Sequence, residues 1–283
     1  MAYKKTFIIL FSAALIFLAR GIINRRNILA SQPNPSQLKA AKSSSDKKGY
    51  VAIIIDDFGY DGEGTEEMLN IKVPFTAAVM PFSEKSAENI ARLDEAKIEY
   101  IIHMPMQSLT GRPEWVGKGI YTNMSNDQIS ERINEAFEIE PNAVGMNNHM
   151  GSAIMENERC IRCVLDELKR REMPFIDSMT SQKSKATAES EKDGCMLMKR
   201  NVFLDSTNDI NHVKKMLKKA EKAAIEKGAC IAIGHVGPEG GKITAKAIND
   251  MYAQMEENGV QFITVSQMKE YENENGNADK QVR

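Results

Sequence analysis

The segment Val51-Ala52-Ile53-Ile54-Ile55-Asp56-Asp57-Phe58-Gly59 decides how the chain folds. Its apolar run does not alternate with polar residues, which is typical of a strand buried on both faces in a parallel sheet. Two adjacent carboxylates, Asp56 and Asp57, follow at the end of the run. Neighbouring side chains on a strand point in different directions, so one carboxylate can bind a metal while the other handles a proton.

The same unit, an apolar run followed by a helical pattern, recurs along the chain. Further strands are predicted at 75–80, 100–102, 143–146, 174–176, 201–204, 230–233 and 261–265, with helices between most of them. Repeated units of this kind predict an α/β fold with a parallel sheet, because the crossover connections are right-handed. The number of units indicates a sheet that is closed, or nearly closed, into a barrel.

Polar residues lie at or just past the carboxyl ends of the predicted strands, and three of the four histidines are among them. They are Asp56, Asp57, His103, His149, Asp177, Asp205 and His235. In a parallel barrel these ends open on one face, and that face carries the site. A carboxylate with two imidazoles is a recurrent ligand set for Zn²⁺ or another divalent metal. A further histidine on the opposite wall could protonate a leaving group.

Composition excludes several classes of protein. The chain has 283 residues, of which 42% are hydrophobic and 27% charged, an ordinary balance for a globular protein. Its formal net charge of −2 gives no electrostatic support for nucleic-acid binding. Four cysteines are too few to cross-link a fold of this size. Cys160 and Cys163 share one helix face, where packing is the commoner role and a redox pair the alternative.

The N-terminus is predicted to direct export. Lys4 and Lys5 precede an apolar run at 6–19, which suits a signal-peptide core and is short of the roughly 20 residues that span a bilayer. Residues 1–30 are therefore a cleaved signal peptide or an uncleaved signal anchor, and either one exports the rest. We predict a flexible linker at 31–48, the barrel domain at 49–270 and a frayed polar tail at 271–283.

Six short motifs occur together in a fixed order between about residues 50 and 268. They are IIIDDFG (53–59), HMPMQ (103–107), GMNNHMGS (145–152), FIDS (175–178), VFLD (202–205) and IGHV (233–236). In combination they resemble the divergent polysaccharide deacetylase family, an offshoot of the NodB-type carbohydrate esterases. The resemblance implies a deformed (β/α) barrel that uses a divalent metal, with zinc as the expected ion, to remove acyl groups, usually N-acetyl, from a polysaccharide.

The resemblance also implies individual roles. The first carboxylate of the pair, Asp56, corresponds to the general base and the second, Asp57, to a metal ligand. His103 stands where the first metal-binding histidine is expected. His235 corresponds to the general acid at the end of the last strand but one. Read alone, each histidine could instead be a hydrogen-bonded histidine of the core.

The chain departs from the family pattern in two places. The second metal-binding histidine is usually about four residues after the first, where this chain has Gln107. We infer that His149 supplies the third ligand instead. The Arg-x-Pro-x-Gly segment of the family is absent, and Asn147 and Asn148 occupy roughly its place.

Other polar residues keep alternative interpretations. Asp177 and Asp205 either orient a histidine or hold the rim of the barrel. Gln107 and Asn148 are candidates for lining the substrate site. Trp115, in the loop after the His103 strand, could stack on a sugar ring or plug the rim.

We therefore expect an exported, metal-dependent hydrolase that removes acyl groups, usually N-acetyl, from a cell-envelope polysaccharide. It would contact the membrane through its N-terminal segment only. The alternative is a catalytically inactive barrel that binds glycan or an envelope partner. A phosphohydrolase of similar form is a third class, which would favour a second metal.

Overall fold

A computed structural model describes residues 49–111, 116–238 and 240–281, with side chains described as far as residue 275. The predicted signal segment at 1–30, the predicted linker at 31–48 and Trp115 lie outside these residues. Along the part of the chain that is described, no helix combines the length and apolar character needed to cross a bilayer.

All strands of the structure belong to one parallel sheet. They are β1 Gly49–Phe58, β2 Thr76–Val79, β3 Glu99–Met106, β4 Met146–Met150, β5 Phe175–Asp177, β6 Leu197–Lys199, β7 Val202–Phe203, β8 Ala229–His235 and β9 Val260–Ile263. The order across the sheet is β6-β5-β4-β3-β2-β1-β8-β7. The central strand, β1, is the deciding segment of the sequence, and it pairs with β8 along almost its whole length.

Helices connect the strands in most of the crossovers. They are α1 Thr65–Leu69, α2 Ser86–Ala96, α3 Asn126–Ile139, α4 Ser152–Glu156, α5 Glu158–Arg170, α6 Ala186–Asp193, α7 Ile210–Lys227, α8 Gly241–Glu257 and α9 Val265–Gln281. The start of α3 shows why these segments become helical. Ser125 and Gln128 form a reciprocal capping box, and Ile129 and Ile133 then place the apolar stripe against the sheet.

The sheet curls until its two edges come together on one chain segment. The edge strands β6 and β7 are consecutive pieces of residues 197–203. The N–H of Arg200 donates to the carbonyl of Asp177 in β5 at 3.0 Å, and the N–H of Asn201 donates to Ile231 in β8 at 2.9 Å. On the edge of β1 that does not face β8, β9 pairs with the first half of β1 and β2 pairs with the second half. The predicted deformed (β/α) barrel is confirmed.

The interior of the barrel changes from apolar to polar along the strands β1, β3 and β8. Residues two apart share a face, so an inward row that is apolar low in the barrel ends in a polar residue at the top. The pairs are Ile54 and Asp56, Ile101 and His103, and Ile233 and His235. Met268 of α9 packs against the apolar floor. The inward polar residues therefore gather at the carboxyl ends of the strands, an opening that we call the mouth.

Three segments differ from the sequence prediction. β4 runs from Met146 to Met150 instead of 143–146, because its polar residues pair with β3 as far as Met106. Helix α6 and strand β6 were not predicted, since 181–200 is polar and lacks a clear period. The segment after Tyr271, predicted as a polar tail, continues as helix to Gln281. Tyr271 anchors it by packing on Tyr50.

Candidate active site

A bulge in β1 brings both carboxylates to the mouth. Asp56 continues the inward row after Ile54, and a regular strand would turn Asp57 to the opposite face. Instead the pairing with β2 slips between Ile55 and Phe58, and Asp57 adopts a φ of 70°. This left-handed conformation is one that aspartate tolerates better than most residues with a side chain. Both carboxylates therefore serve one site.

Asp57, His103 and His149 converge although they are distant in sequence. Oδ1 of Asp57 lies 3.3 Å from Nε2 of His103 and 3.1 Å from Nδ1 of His149. The two imidazole nitrogens are 3.1 Å apart. Despite these short distances, Oδ1 of Asp57 is buried and makes no hydrogen bond. We call these three residues the metal wall.

The metal wall fits a divalent cation. Zinc bonds to nitrogen and oxygen are about 2.0–2.2 Å long, which places the ligand atoms around one ion roughly 3 Å apart. A buried carboxylate oxygen without a hydrogen bond, facing two ring nitrogens, is a set of donor atoms that suits a divalent cation. Burial favours a raised pKa for Asp57, but the imidazoles of His103 and His149 outweigh it and hold this pKa far below its usual value. The carboxylate is therefore ionised and ready to ligate.

A buried amide connects the metal wall to Asp56. Nδ2 of Asn147 donates to Oδ1 of Asp56 at 2.8 Å, and Oδ1 of Asn147 lies 2.6 Å from Nδ1 of His103. Asp56, His103 and Asn147 are all almost fully buried. Burial favours a lowered pKa for His103, but the carboxylates of Asp56 and Asp57 outweigh it and raise this pKa. Asp56 and His103 thus act as parts of one polar cluster.

The opposite side of the mouth holds His235 through Asp205. Nδ1 of His235 lies 2.8 Å from Oδ1 of Asp205, and Oδ2 of the same carboxylate accepts from the backbone N–H of His235 and from the hydroxyl of Thr244, both at 2.8 Å. We call Asp205, His235 and Thr244 the acid wall. A Cβ on Gly240 would lie 1.9 Å from Oδ2 of Asp205, so this arrangement requires glycine there.

The acid wall favours a charged imidazole. Burial opposes protonation of His235, but the hydrogen bond and the charge of Asp205 outweigh it and raise the pKa to about 9. Its free nitrogen, Nε2, lies 4.0 Å from Oδ2 of Asp56. Burial raises the pKa of Asp56, and the neighbouring imidazoles only partly offset it. Because Asp56 and His235 are register partners on β1 and β8, the fold fixes their spacing.

The remaining predicted residues hold loops around the mouth. Asp177 accepts from the N–H of Met179 and the hydroxyl of Ser184, so it ties the loop after β5 and contacts no histidine of the site. Oε1 of Gln107 accepts from both the N–H and the hydroxyl of Thr122. The side chain of Gln107 thus fastens the loop that follows β3.

Asn148 faces away from Asn147 on the strand. Its Oδ1 accepts from the N–H of Ser178, and its Nδ2 donates to the carbonyl of Met150 and to the hydroxyl of Thr180. These contacts join β4 to the rim, away from the metal wall.

Sequence reasoning did not single out several residues of the mouth. Asn147 was noted only for its place in the chain, yet it shares a strand face with His149, a two-residue spacing that could have identified it. Phe203 packs its ring edgewise on His235 with centroids 4.9 Å apart, and the guanidinium of Arg200 lies 4.9 Å from the centre of the Phe203 ring. No sequence signal marks Arg200, because its position depends on how residues 197–203 close the barrel.

Comparisons with known proteins agree with this architecture. A sequence model described as divergent polysaccharide deacetylase matches residues 53–269. The uncharacterized protein YibQ of Escherichia coli (strain K12) is 33% identical over 214 residues, which is 76% of this chain and 65% of that protein. The chain therefore spans slightly less than two thirds of the length of this relative.

Solved structures share the fold. An uncharacterized protein, ATU2773 from Agrobacterium tumefaciens C58, superposes with a TM-score of 0.70 at 16% identity, covering 80% of this chain and 91% of that one. The Bc1960 peptidoglycan N-acetylglucosamine deacetylase superposes with a TM-score of 0.51 at 15% identity, covering 80% and 90%. The family match covers most of the chain, and the barrel, the motif order and the mouth are consistent with it. This chain belongs to the divergent polysaccharide deacetylase family.

Proposed function

We propose that the protein is an exported, metal-dependent hydrolase that removes acyl groups, N-acetyl above all, from a cell-envelope polysaccharide. The observation that carries the proposal is the convergence of Asp57, His103 and His149 on one point beside the buried carboxylate of Asp56. A base, a ligand set and an acid at one barrel mouth are the groups that amide hydrolysis requires.

Asp57, His103 and His149 would hold the divalent ion, with zinc as the expected metal. Three protein ligands leave further coordination positions open for water and substrate, as catalytic sites require. When bound, the ion would polarise the acyl carbonyl and lower the pKa of water. His103 is oriented for ligation through Asn147, while Asp57 is ionised already.

The chain's own residues then handle the protons. Asp56 accepts a proton from the attacking water, and its raised pKa makes it a stronger base than an exposed aspartate. His235 is protonated at neutral pH and donates from Nε2 to the nitrogen of the breaking C–N bond. Asp205 holds the imidazolium by its other nitrogen and stabilises its charge. The products are a carboxylic acid and a free amine on the glycan.

Export and substrate rest on separate support. The predicted signal segment at 1–30 supports an extracytoplasmic location, secreted or anchored to the membrane by that segment. The related fold of a peptidoglycan N-acetylglucosamine deacetylase supports an envelope glycan as substrate. Among the described residues only one group of three potential metal ligands occurs, which favours a mononuclear hydrolase over a two-metal phosphohydrolase.

The test is metal-dependent release of acetate. The full chain would be stripped with a chelator, reloaded with zinc, cobalt, manganese or magnesium, and incubated with N-acetylated oligosaccharides and peptidoglycan fragments. We expect one equivalent of metal per chain and acetate release that requires it. Stoichiometric metal without release from any glycan would support the inactive glycan-binding barrel instead, and absence of metal binding would reject the site.

A further inference from the structure

Asn147 occupies a position that the proposed roles leave unexplained. It lies on β4, and its side chain is fully buried between Asp56 of β1 and His103 of β3. It therefore reaches across the barrel interior to two groups of different proposed function. Its register partner on β3 is His103 itself, so backbone pairing fixes the separation of the two residues.

The direction of the hydrogen bonds follows from the chemistry of the groups. An ionised carboxylate only accepts, so Asp56 must receive the N–H of the Asn147 amide. The amide oxygen is then the atom that faces His103, and it too can only accept. Nδ1 of His103 must therefore carry the proton. In the neutral ring this leaves the lone pair on Nε2, the atom directed at Asp57 and His149.

We infer that Asn147 is a positioning residue that fixes the tautomer of His103 for metal binding and at the same time holds the carboxylate of Asp56. The inference rests on the proposed function of the site. Partners that orient a metal-binding histidine through its other nitrogen are worth about 10–100-fold in affinity. In this site one amide would perform that task and also restrain the base, so a single side chain couples two functions.

The Asn147 side chain forms a bridge of two hydrogen bonds, one to Asp56 and one to His103. Two substitutions separate the effects of these two hydrogen bonds. Asn147→Leu removes both hydrogen bonds, and we expect metal affinity to fall about 10–100-fold. Asn147→Asp keeps an acceptor for His103 and loses the donor to Asp56. We expect its metal affinity to stay close to that of the wild type while kcat falls by about tenfold or more, with KM little changed.

A measurement without metal tests the tautomer directly. In the chelator-treated full chain, at a pH high enough for the His103 ring to be neutral, nitrogen-15 NMR of the imidazoles distinguishes a proton on Nδ1 from one on Nε2. We expect His103 to carry it on Nδ1 in the wild type and in Asn147→Asp, and to lose this preference in Asn147→Leu. Asn157→Ala is the control, because the Asn157 side chain caps α5 by accepting from the N–H of Cys160 at 3.1 Å and belongs to neither wall.

The outcomes distinguish this inference from the proposed function. Wild-type metal affinity and an unchanged His103 tautomer in Asn147→Leu would overturn the role of Asn147, whatever the activity. If Asn147→Leu does not fold, Asn147→Asp decides: parallel loss of metal affinity and kcat would contradict the two-part bridge. A wild type that binds no metal would reject the proposed site, while the tautomer measurement would still test the bridge.

Discussion

The two walls of the mouth differ in how fully their carboxylates are hydrogen-bonded within the protein. On the acid wall, Asp205 accepts three hydrogen bonds, two from His235 and one from Thr244, and its polar atoms are satisfied within the protein. On the metal wall, Oδ1 of Asp57 is buried without a hydrogen bond, although two ring nitrogens lie close to it. Both walls thus combine carboxylate and imidazole groups. The carboxylate of the acid wall has hydrogen bonds to both oxygens, whereas that of the metal wall has a buried oxygen with none.

The difference indicates which wall needs a ligand. A buried carboxylate oxygen without a hydrogen bond is costly, and a bound cation is the group that would reverse this cost. The acid wall has no such need, because Asp205 and His235 already form a charge-assisted pair. Asp56 lies between the walls, with one oxygen bonded to Asn147 and the other 4.0 Å from Nε2 of His235. We therefore expect the proposed metal binding and the proposed proton transfer to be separable by mutation.

The largest effect is expected on the metal wall. His149→Ala removes one of the three proposed ligands, and because the His149 side chain is partly exposed, we expect the variant to fold. We expect bound metal to be lost and acetate release to fall to background, with His103→Ala behaving alike. Metal analysis after gel filtration, with circular dichroism to verify folding, is the measurement. His212→Ala, at an exposed helix start, is the control. Full metal retention in both His149→Ala and His103→Ala would show that these histidines are not metal ligands, and the two walls would then not differ in metal binding.

The next effect is expected on the acid wall and should leave the metal in place. His235→Gln keeps a polar side chain but cannot act as a general acid. We expect kcat to fall by about 10²–10⁴-fold, the usual contribution of a general acid, with bound metal unchanged. Steady-state kinetics and metal analysis on the same preparation would test this. Loss of metal in this variant would show that the two walls are not independent.

The pH dependence refines the same comparison. His235 has a pKa of about 9, raised above its ordinary value by Asp205, so its acid form is lost as pH rises through that value. We expect the alkaline limb of kcat near pH 9. Asp205→Asn removes the charge that raises the pKa, so the limb should move toward the ordinary histidine pKa of about 6.5. The stability that this ion pair contributes should likewise be present at low pH and lost toward pH 9. If the alkaline limb of kcat does not move in Asp205→Asn, a group other than His235 causes that limb.

The sequence predicts the parts of this molecule that follow a simple period. The apolar run at 51–55 becomes the central strand, and the positions of Asp56, His103 and His235 near the carboxyl ends of their strands place them at one mouth. The motifs indicate the family for the same reason, since strand ends in a parallel barrel face one opening. The family motifs likewise lead us to expect that Asp57, His103 and His149 converge, and their ligand atoms lie within 4.8 Å of one another.

What the sequence does not predict depends on local exceptions and on distant contacts. The left-handed conformation of Asp57 interrupts the regular change of side-chain direction along β1, and nothing in the apolar pattern of the strand indicates it. The sequence places β4 too early because Asn147 and Asn148 are poor strand formers, and pairing with β3 makes this segment a strand. The orienting contact of Asp205 requires knowing that β7 lies beside β8.

The smallest effect is predicted for Glu140, another buried carboxyl without a hydrogen bond, whose pKa is shifted by burial alone. Glu140 ends α3, is fully buried, and neither of its carboxyl oxygens has a hydrogen-bond partner. Burial raises its pKa well above the ordinary value, the opposite direction to Asp57. A carboxyl without neighbouring cations becomes neutral, whereas one beside imidazoles stays charged.

The consequence can be measured as stability against pH. Because the folded state of Glu140 binds a proton more tightly than the unfolded state, its contribution is fully present below about pH 4.5 and decreases as pH rises. Glu140→Gln abolishes this titration. We expect the variant to be more stable than the wild type at pH 7, by on the order of 1 kcal/mol, and the advantage to vanish near pH 4. Denaturant unfolding at both pH values tests it, and metal content should not change. If the gain in stability of Glu140→Gln did not depend on pH, Glu140 would be ionised in the folded protein. Glu140 and Asp57 would then have the same charge state, although only Asp57 lies beside imidazoles.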